Sequence, residues 1–315
     1  MQKPMIKRRS FPQACAYLLK QFRKHPLLYL MLLPAIVYFF IFKYMPMPGI
    51  IVAFEDFMAT KGLYRSPWIG FKYFEFLFRD AAFWRAFRNT IIISMMRMIV
   101  GFPVPLILAL LLNEFRSKPT RNFVQTIIYL PHFLTWVVLA GLLNNLFASG
   151  SGTLSKLMVE LGGKPFTFLT NPKQFRWTLV ITGIIKEAGW STIIYMAAIA
   201  AINTEMYEAA YIDGANRWQQ VVHITIPSMA PTLCMLLILD LGDTMDAGMG
   251  QVIVLYNDAV MTVSDIIDTL IYRKSLLNSD YSYGTAAGLF KSVINIFFIL
   301  STNKIIKKMG GEGLF

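Results

Sequence analysis

Glu208-Ala209-Ala210-Tyr211-Ile212-Asp213-Gly214-Ala215, continued by Asn216-Arg217-Trp218-Gln219 and closed by Pro227, is a polar, helix-forming stretch set between two apolar segments long enough to enter a membrane. A loop between spans needs only to be hydrophilic and flexible. This one carries the makings of two short helices around an Asp-Gly break. Asn203 or Thr204 can cap the first helix, with Glu205 and Glu208 near its positive end. Met206, Tyr207, Ala210 and Tyr211 give that helix an apolar side. Gly214 permits the backbone angles that a helix stop requires, and a second helix is expected over 215–223, ended by Pro227. The small residues Ala209, Ala210, Gly214 and Ala215 let another protein's surface approach the backbone, while Glu208, Asp213 and Arg217 offer charged contacts. The pattern points to a docking element; the alternative is an amphipathic loop lying on the lipid surface.

The rest of the chain supplies the membrane. Of its 315 residues 56% are hydrophobic and 15% charged, with mean hydropathy +0.51; soluble domains carry about 25% charged residues. Six apolar segments stand out, at 27–42, 90–112, 123–147, 177–202, 229–241 and 283–301. A straight span needs about 20 residues, so the first and fifth must borrow polar neighbours or be broken. Pro34, Pro103, Pro105 and Pro131 mark candidate kinks. With the N-terminus inside, fourteen Lys and Arg fall on the inner segments and twelve on considerably longer outer ones, which puts the 203–227 loop in the cytoplasm. The expected organisation is a cytoplasmic tail over 1–26 with an amphipathic helix at 11–22, a membrane domain over 27–303, and a cytoplasmic tail over 304–315. The net charge of +12 sits largely beside apolar segments, where it reads as topology and contact with anionic lipid rather than nucleic-acid binding. Cys15 and Cys234 give no disulfide framework.

Candidates for a polar path lie on the fourth to sixth segments: Trp190, Tyr195, Asp240, Asp243 and Asn295. Aromatic rings stack on sugar faces, and carboxylates and amides bond hydroxyls. Asp240, Asp243 and Asp246 stand three residues apart, roughly one face of a continuous helix. They line a path, pair with Lys186 or a partner, or mark the outer end of a short span. Neighbouring Lys186 and Glu187 read as an ion pair, Trp190 as packing or a stacking platform, and Arg97 and Lys291 as snorkelling or paired. An aromatic outer segment over 54–78 is expected to pack on the outer face and to meet an extracellular protein. His25, His132 and His223 are scattered and make no metal site, and Gly310-Gly311-Glu312-Gly313 is no phosphate loop. An enzyme built on the three aspartates remains a second reading.

The loop also resembles a known family. Glu208-Ala209-Ala210, Asp213-Gly214-Ala215 and Ile224-Thr225-Ile226-Pro227 are similar to the EAA motif of permeases in binding-protein-dependent ABC importers, departing at Val221 where the family more often has Phe. Tyr29 to Pro34, Ala53-Phe54-Glu55-Asp56-Phe57, Tyr129-Leu130-Pro131-His132-Phe133, and Tyr281-Ser282-Tyr283-Gly284 resemble the polysaccharide-type sugar permeases over nearly the whole chain. The resemblance implies an all-α integral membrane fold: six transmembrane helices of the type I importer kind with a cytoplasmic coupling helix. It implies import of oligosaccharides with no cofactor of the chain's own, ATP being bound by two cytoplasmic ATPase subunits. The other implied partners are a second, similar permease and an extracellular sugar-binding lipoprotein, in the cell membrane of a Gram-positive bacterium. Peptide and amino-acid permeases share the fold and the motif and stay open as an alternative.

Overall fold

The computed structural model describes residues 24–242 and 244–308. Cys15, the expected helix at 11–22, Asp243 and the glycines of 310–313 lie outside the described residues. In chain order the helices are α1 (Pro26–Phe54), α2 (Lys72–Arg79), α3 (Ala81–Asn113), α4 (Lys118–Phe133), α5 (Trp136–Phe147), α6 (Thr153–Glu160), α7 (Pro172–Ala200), α8 (Thr204–Ile212), α9 (Arg217–Gly242), α10 (Met249–Leu255), α11 (Ile267–Ile271) and α12 (Tyr281–Lys308). Helices α1, α3, α7, α9 and α12 are long and apolar enough to cross a membrane, and α4 with α5, bent by 101°, forms a sixth apolar unit, a broken span or a re-entrant loop. Among the described residues the only β pairing is a single bridge between Glu55 and Trp68.

The two short apolar segments reach span length by taking in their neighbours. The first continues through a tightened turn to Phe54. The fifth begins at Arg217, inside the polar loop, and runs without interruption through Pro227 and Pro231. The expected stop at Pro227 is therefore wrong. Proline lacks the N–H that an α-helix needs at that position, and the wider turn Val221–Thr225 just before it absorbs the missing bond. The same device recurs at Arg97–Gly101 before Pro103, and at Phe40–Tyr44 before Pro46. Only Pro131 breaks a span outright. Inside a membrane a freed carbonyl must find a partner within the protein, and here Lys186 Nζ donates to the His132 carbonyl at 2.8 Å.

Helix α7 is the axis of the bundle, with 44% of its apolar window buried, against none for α1. Ile93, Phe175, Leu179, Val252 and Ile266 form one core; Leu77, Phe83, Ile267, Leu270 and Tyr283 form another with Phe290 packed on it. Both lie toward the end that holds α2, α6, α10 and α11. A third core, Ala109, Tyr195, Ile199 and Met229, lies toward the loop at 203–216. In and beside α2, Leu77 is buried while Phe71, Phe76 and Phe78 are exposed. Pairing of Lys291 is also seen, with Asp268 at 2.7 Å.

Polar ties close the α2–α11 end. Asn89 donates to the carbonyls of Thr262 and Asp265 and accepts from Arg176 at 2.8 Å. Asp265, fully buried, is held by Arg273. Asp80 caps α3 through the Ala82 amide and accepts from Lys274 and from the Tyr283 hydroxyl. Burial pushes the Asp80 carboxyl up, but these hydrogen bonds outweigh it and hold the group below the ordinary carboxylate range. A lowered value means that the clamp contributes fully at neutral pH and is lost as the pH falls through that value. The Asp80→Asn variant should accordingly start less stable at neutral pH and lose less stability between roughly pH 5 and 2 than the parent, measured by thermal unfolding across that range.

Candidate functional site

The loop at 203–216 is built from local chemistry. The Asn203 side chain accepts from the Glu205 amide at 3.0 Å and starts α8. The helix stops at Gly214, whose φ is +80°. The Ala215 amide then donates to the Ala210 carbonyl at 2.8 Å and the Gly214 amide to Tyr211 at 3.1 Å, the paired closure that a left-handed residue allows. Asn216 and Gln219 exchange side-chain and amide bonds at 2.7 and 2.9 Å and start α9. The Tyr207 hydroxyl meets Thr225 Oγ1 at 2.9 Å and ties α8 back onto α9. Arg217 reaches Glu114, in the turn after α3, at 3.5 Å.

Glu208, Ala209, Asp213 and Gly214 are exposed, and Ala210 and Ala215 are half-buried. The side chains that protrude furthest are Tyr211, Ile212 and Trp218, 77%, 84% and 73% exposed. The sequence reading placed Tyr207 on the same apolar side as Tyr211; the structure turns it inward. It also overlooked Ile212 and Trp218, whose signal was an isoleucine and a tryptophan in an otherwise polar loop. Exposed large apolar groups on a rigid bend mark an interaction surface.

A cavity of about 470 Å³ opens between α3, α5, α7, α9 and the start of α10. Of the residues expected to line a path, Tyr195 and Asp240 are on its wall. Trp190 is not. It stacks flat on His132, with ring centroids 4.6 Å apart, and flanks the α4–α5 break. Asn295 is not either; its amide donates to the Gly242 carbonyl and locks α12 to the end of α9. The continuous-helix face for the aspartates is corrected too. Helix α9 ends at Gly242 and a separate turn covers Thr244–Asp246, so Asp246 reaches the cavity from a different element than Asp240.

Gln251 and Gly248 on the wall escaped the sequence reading, and Arg97 was not placed there. Arg97, assigned to snorkelling or pairing, faces the cavity and donates to Gln251 Oε1. Gln251 is fully buried and in turn donates to the Leu179 carbonyl at 2.9 Å and to Thr182. Gly248, with φ +70°, lies against the Arg97 guanidinium, where any Cβ would collide. The expected Lys186–Glu187 pair forms at 3.2 Å, and Glu187 also meets His132 Nδ1 at 2.8 Å. Among the described residues no three His, Cys, Asp or Glu groups gather to hold a metal.

A bundle of six apolar units, an exposed bend at one end and a cavity between the helices with charged residues on its wall define a membrane transport subunit. Residues 101–311 match the binding-protein-dependent transport system inner membrane component family, and the chain belongs to it. It is 42% identical over 288 residues to Protein LplB of Bacillus subtilis (strain 168), covering 91% of each chain. It is equally similar to the polygalacturonan/rhamnogalacturonan transport system permease protein YteP of the same organism, at 42% over 288 residues, 91% of this chain and 90% of that one. Among solved structures it is similar to a chain of a bacterial alginate ABC transporter in complex with an alginate pentasaccharide-bound periplasmic protein. That match has a TM-score of 0.85 and 38% identity, over 94% of this chain and 99% of the other. The fold is that of a type I importer permease. The chain is a transport component, not an enzyme, and the second reading of the aspartates as catalytic falls with that finding.

Proposed function

We propose that this chain is one of two permease subunits of an ABC importer for oligosaccharides. The observation that carries the reading is the rigid bend at Gly214, which presents Glu208, Tyr211, Ile212 and Trp218 outward as one unit. The bend lies in the cytoplasm and docks on an ATPase subunit, with Ala209, Ala210, Asp213, Ala215 and Arg217 completing the contact. ATP is bound by two such subunits and not by this chain. Closure of the ATPase pair moves the bend, and the spans exchange inward for outward access. The second permease is supported by α1, whose first three turns bury no side chain against the rest of the chain. An extracellular sugar-binding lipoprotein delivers substrate at the α2–α11 end, in the cell membrane of a Gram-positive bacterium. Residues 27–303 form the transport domain and the two ends lie inside.

Co-purification tests the assembly. The tagged chain, extracted in mild detergent from its own cells, should bring down a homologous permease and a cytoplasmic ATPase. Recovery of the chain alone, while the ATPase and a second permease are present in the same membranes, would overturn the reading.

A further inference from the structure

We propose that the cavity holds an oligosaccharide lengthwise, and that Trp136 and Phe102 are two stations on which its pyranose rings stack. Trp136 serves the half toward the α2–α11 end, and Phe102 the half toward the loop at 203–216. The inference rests on the oligosaccharide reading above and deepens it by naming the groups that grip the rings.

The cavity is long. Its wall follows α7 from Val180 to Tyr195, a rise of about 22 Å at about 1.5 Å per residue. Along that length three aromatic side chains among the described residues reach the wall: Phe102, Trp136 and Tyr195. Tyr195 is only 3% exposed and has little ring to offer a ligand. It braces Phe102 edge-on instead, with ring centroids 6.3 Å apart. Trp136 is half-buried at the first turn of α5. Its ring is held before any ligand arrives. Lys186 Nζ stands over it at 5.6 Å. That amine is itself fixed by the His132 carbonyl at 2.8 Å and by Glu187 at 3.2 Å. Gly250 lies close on another side, where an added Cβ would stand 3.5 Å from the ring. A surface whose orientation is already set loses little freedom when a flat partner lands on it.

The spacing of the stations sets the length of what they hold. One stands beside Lys186 and the other beside Tyr195, nine residues or about 13 Å apart along α7. A single sugar ring cannot touch both, whereas a chain of several rings can. Between them the wall turns polar. Glu187 and Ser191 face the cavity one turn apart on α7. Ser94 also lines it, and its Oγ has no hydrogen-bond partner among the described residues. A pyranose presents a flat C–H face and a rim of hydroxyls. The face suits an aromatic ring, and the rim can donate to a carboxylate and exchange hydrogen bonds with a serine.

The test uses the native cells and the intact importer. Cells are fed a mixture of neutral oligosaccharides, oligogalacturonides and alginate oligosaccharides. Depletion from the medium that depends on this gene, followed by mass spectrometry, selects the probe. Uptake of that probe is then measured at saturation, where the delivering protein is full and the rate reports the permease. Trp136→Leu and Phe102→Leu should each slow it roughly fivefold, while Trp136→Tyr stays within about twofold of the parent. A ring that serves packing alone would not respond to sugar, so the complex is also purified with 5-fluorotryptophan. The fluorine resonance that Trp136→Tyr removes should shift when the probe is added at millimolar concentration. It should stay in place with mannitol, which has no ring face. Saturated uptake by Trp136→Leu equal to the parent's would overturn the inference, and so would a Trp136 resonance unmoved by the probe. Immunoblots of the membrane fraction identify a leucine variant that fails to accumulate, in which case the resonance decides. The two readings separate cleanly. Gene-dependent uptake with no effect at Trp136 sinks the stations alone, whereas gene-dependent depletion of no oligosaccharide sinks the oligosaccharide reading and this inference with it.

Discussion

Replacing Gly214 by valine is expected to leave the chain in the membrane and to uncouple it from its motor. At φ +80° a residue with a Cβ costs about 1–2 kcal/mol, and a β-branched one more. Nothing lies within 4 Å of the position a Cβ would take, so the penalty is one of backbone angle and not of crowding. The loop relieves it by straightening, and the closure between Ala215 and Ala210 is lost with it. A companion change, Ile212→Asp, keeps the bend but puts a charge on its most exposed apolar side chain. If that side chain fills a groove in the ATPase, the change should cost about 2 kcal/mol or more, roughly thirtyfold in docking affinity. Both variants should show sugar-stimulated ATP hydrolysis reduced by roughly tenfold or more in the assembled complex, with the thermal midpoint of the bundle unchanged. Stimulation equal to the parent's in both would remove the bend from the mechanism.

The second large effect is structural. Gly189 sits where α7 crosses the end of α4, and a Cβ there would overlap the backbone carbonyl of Ile128. Backbone cannot swing aside as a side chain can. Gly189→Val should therefore force α4 from α7, at a cost above the 1–3 kcal/mol or so typical of overpacked cores. It would also pull His132 from the Lys186 amine that satisfies it, since both contacts flank the same break. The expected result is loss of the folded chain from the membrane fraction, or a sharply lowered melting midpoint of the purified complex. Gly141→Ala is the control: it lies on α5 with open space around it. A parent-like midpoint for Gly189→Val would contradict the close approach of these helices.

What could be read from the sequence, and what could not, divides by the range of the interaction. The bend was legible because its parts are neighbours: Asn203 caps and Gly214 stops, each acting within a turn of itself. Five of the six expected spans were legible because apolar runs are long. Pro131 announced a break, though not one of 101°, since the angle depends on Lys186 arriving from another helix to take the freed carbonyl. Pro227 looked like a stop because the compensating wide turn has no compositional mark. The cavity wall was the least legible part. Trp190 and Asn295 carry suitable chemistry but face His132 and Gly242, while Arg97, read as snorkelling or paired, and Gln251, passed over, face inward. Which way a side chain points from a nearly all-apolar helix is set by packing against other helices, and no local pattern records it.

The wide turn at Val221–Thr225 has one more consequence. It lies on helix α9, which starts at Arg217 directly after the exposed bend and carries Asp240 further along. Each helical residue advances the azimuth by about 100°. Deleting a single residue between the two would rephase them, turning the Asp240 carboxylate out of the cavity while the bend stayed in place. Related genes that tolerate indels in their outer loops should therefore keep this interval at constant length, because it acts as a spline that keys the drive shaft to the channel.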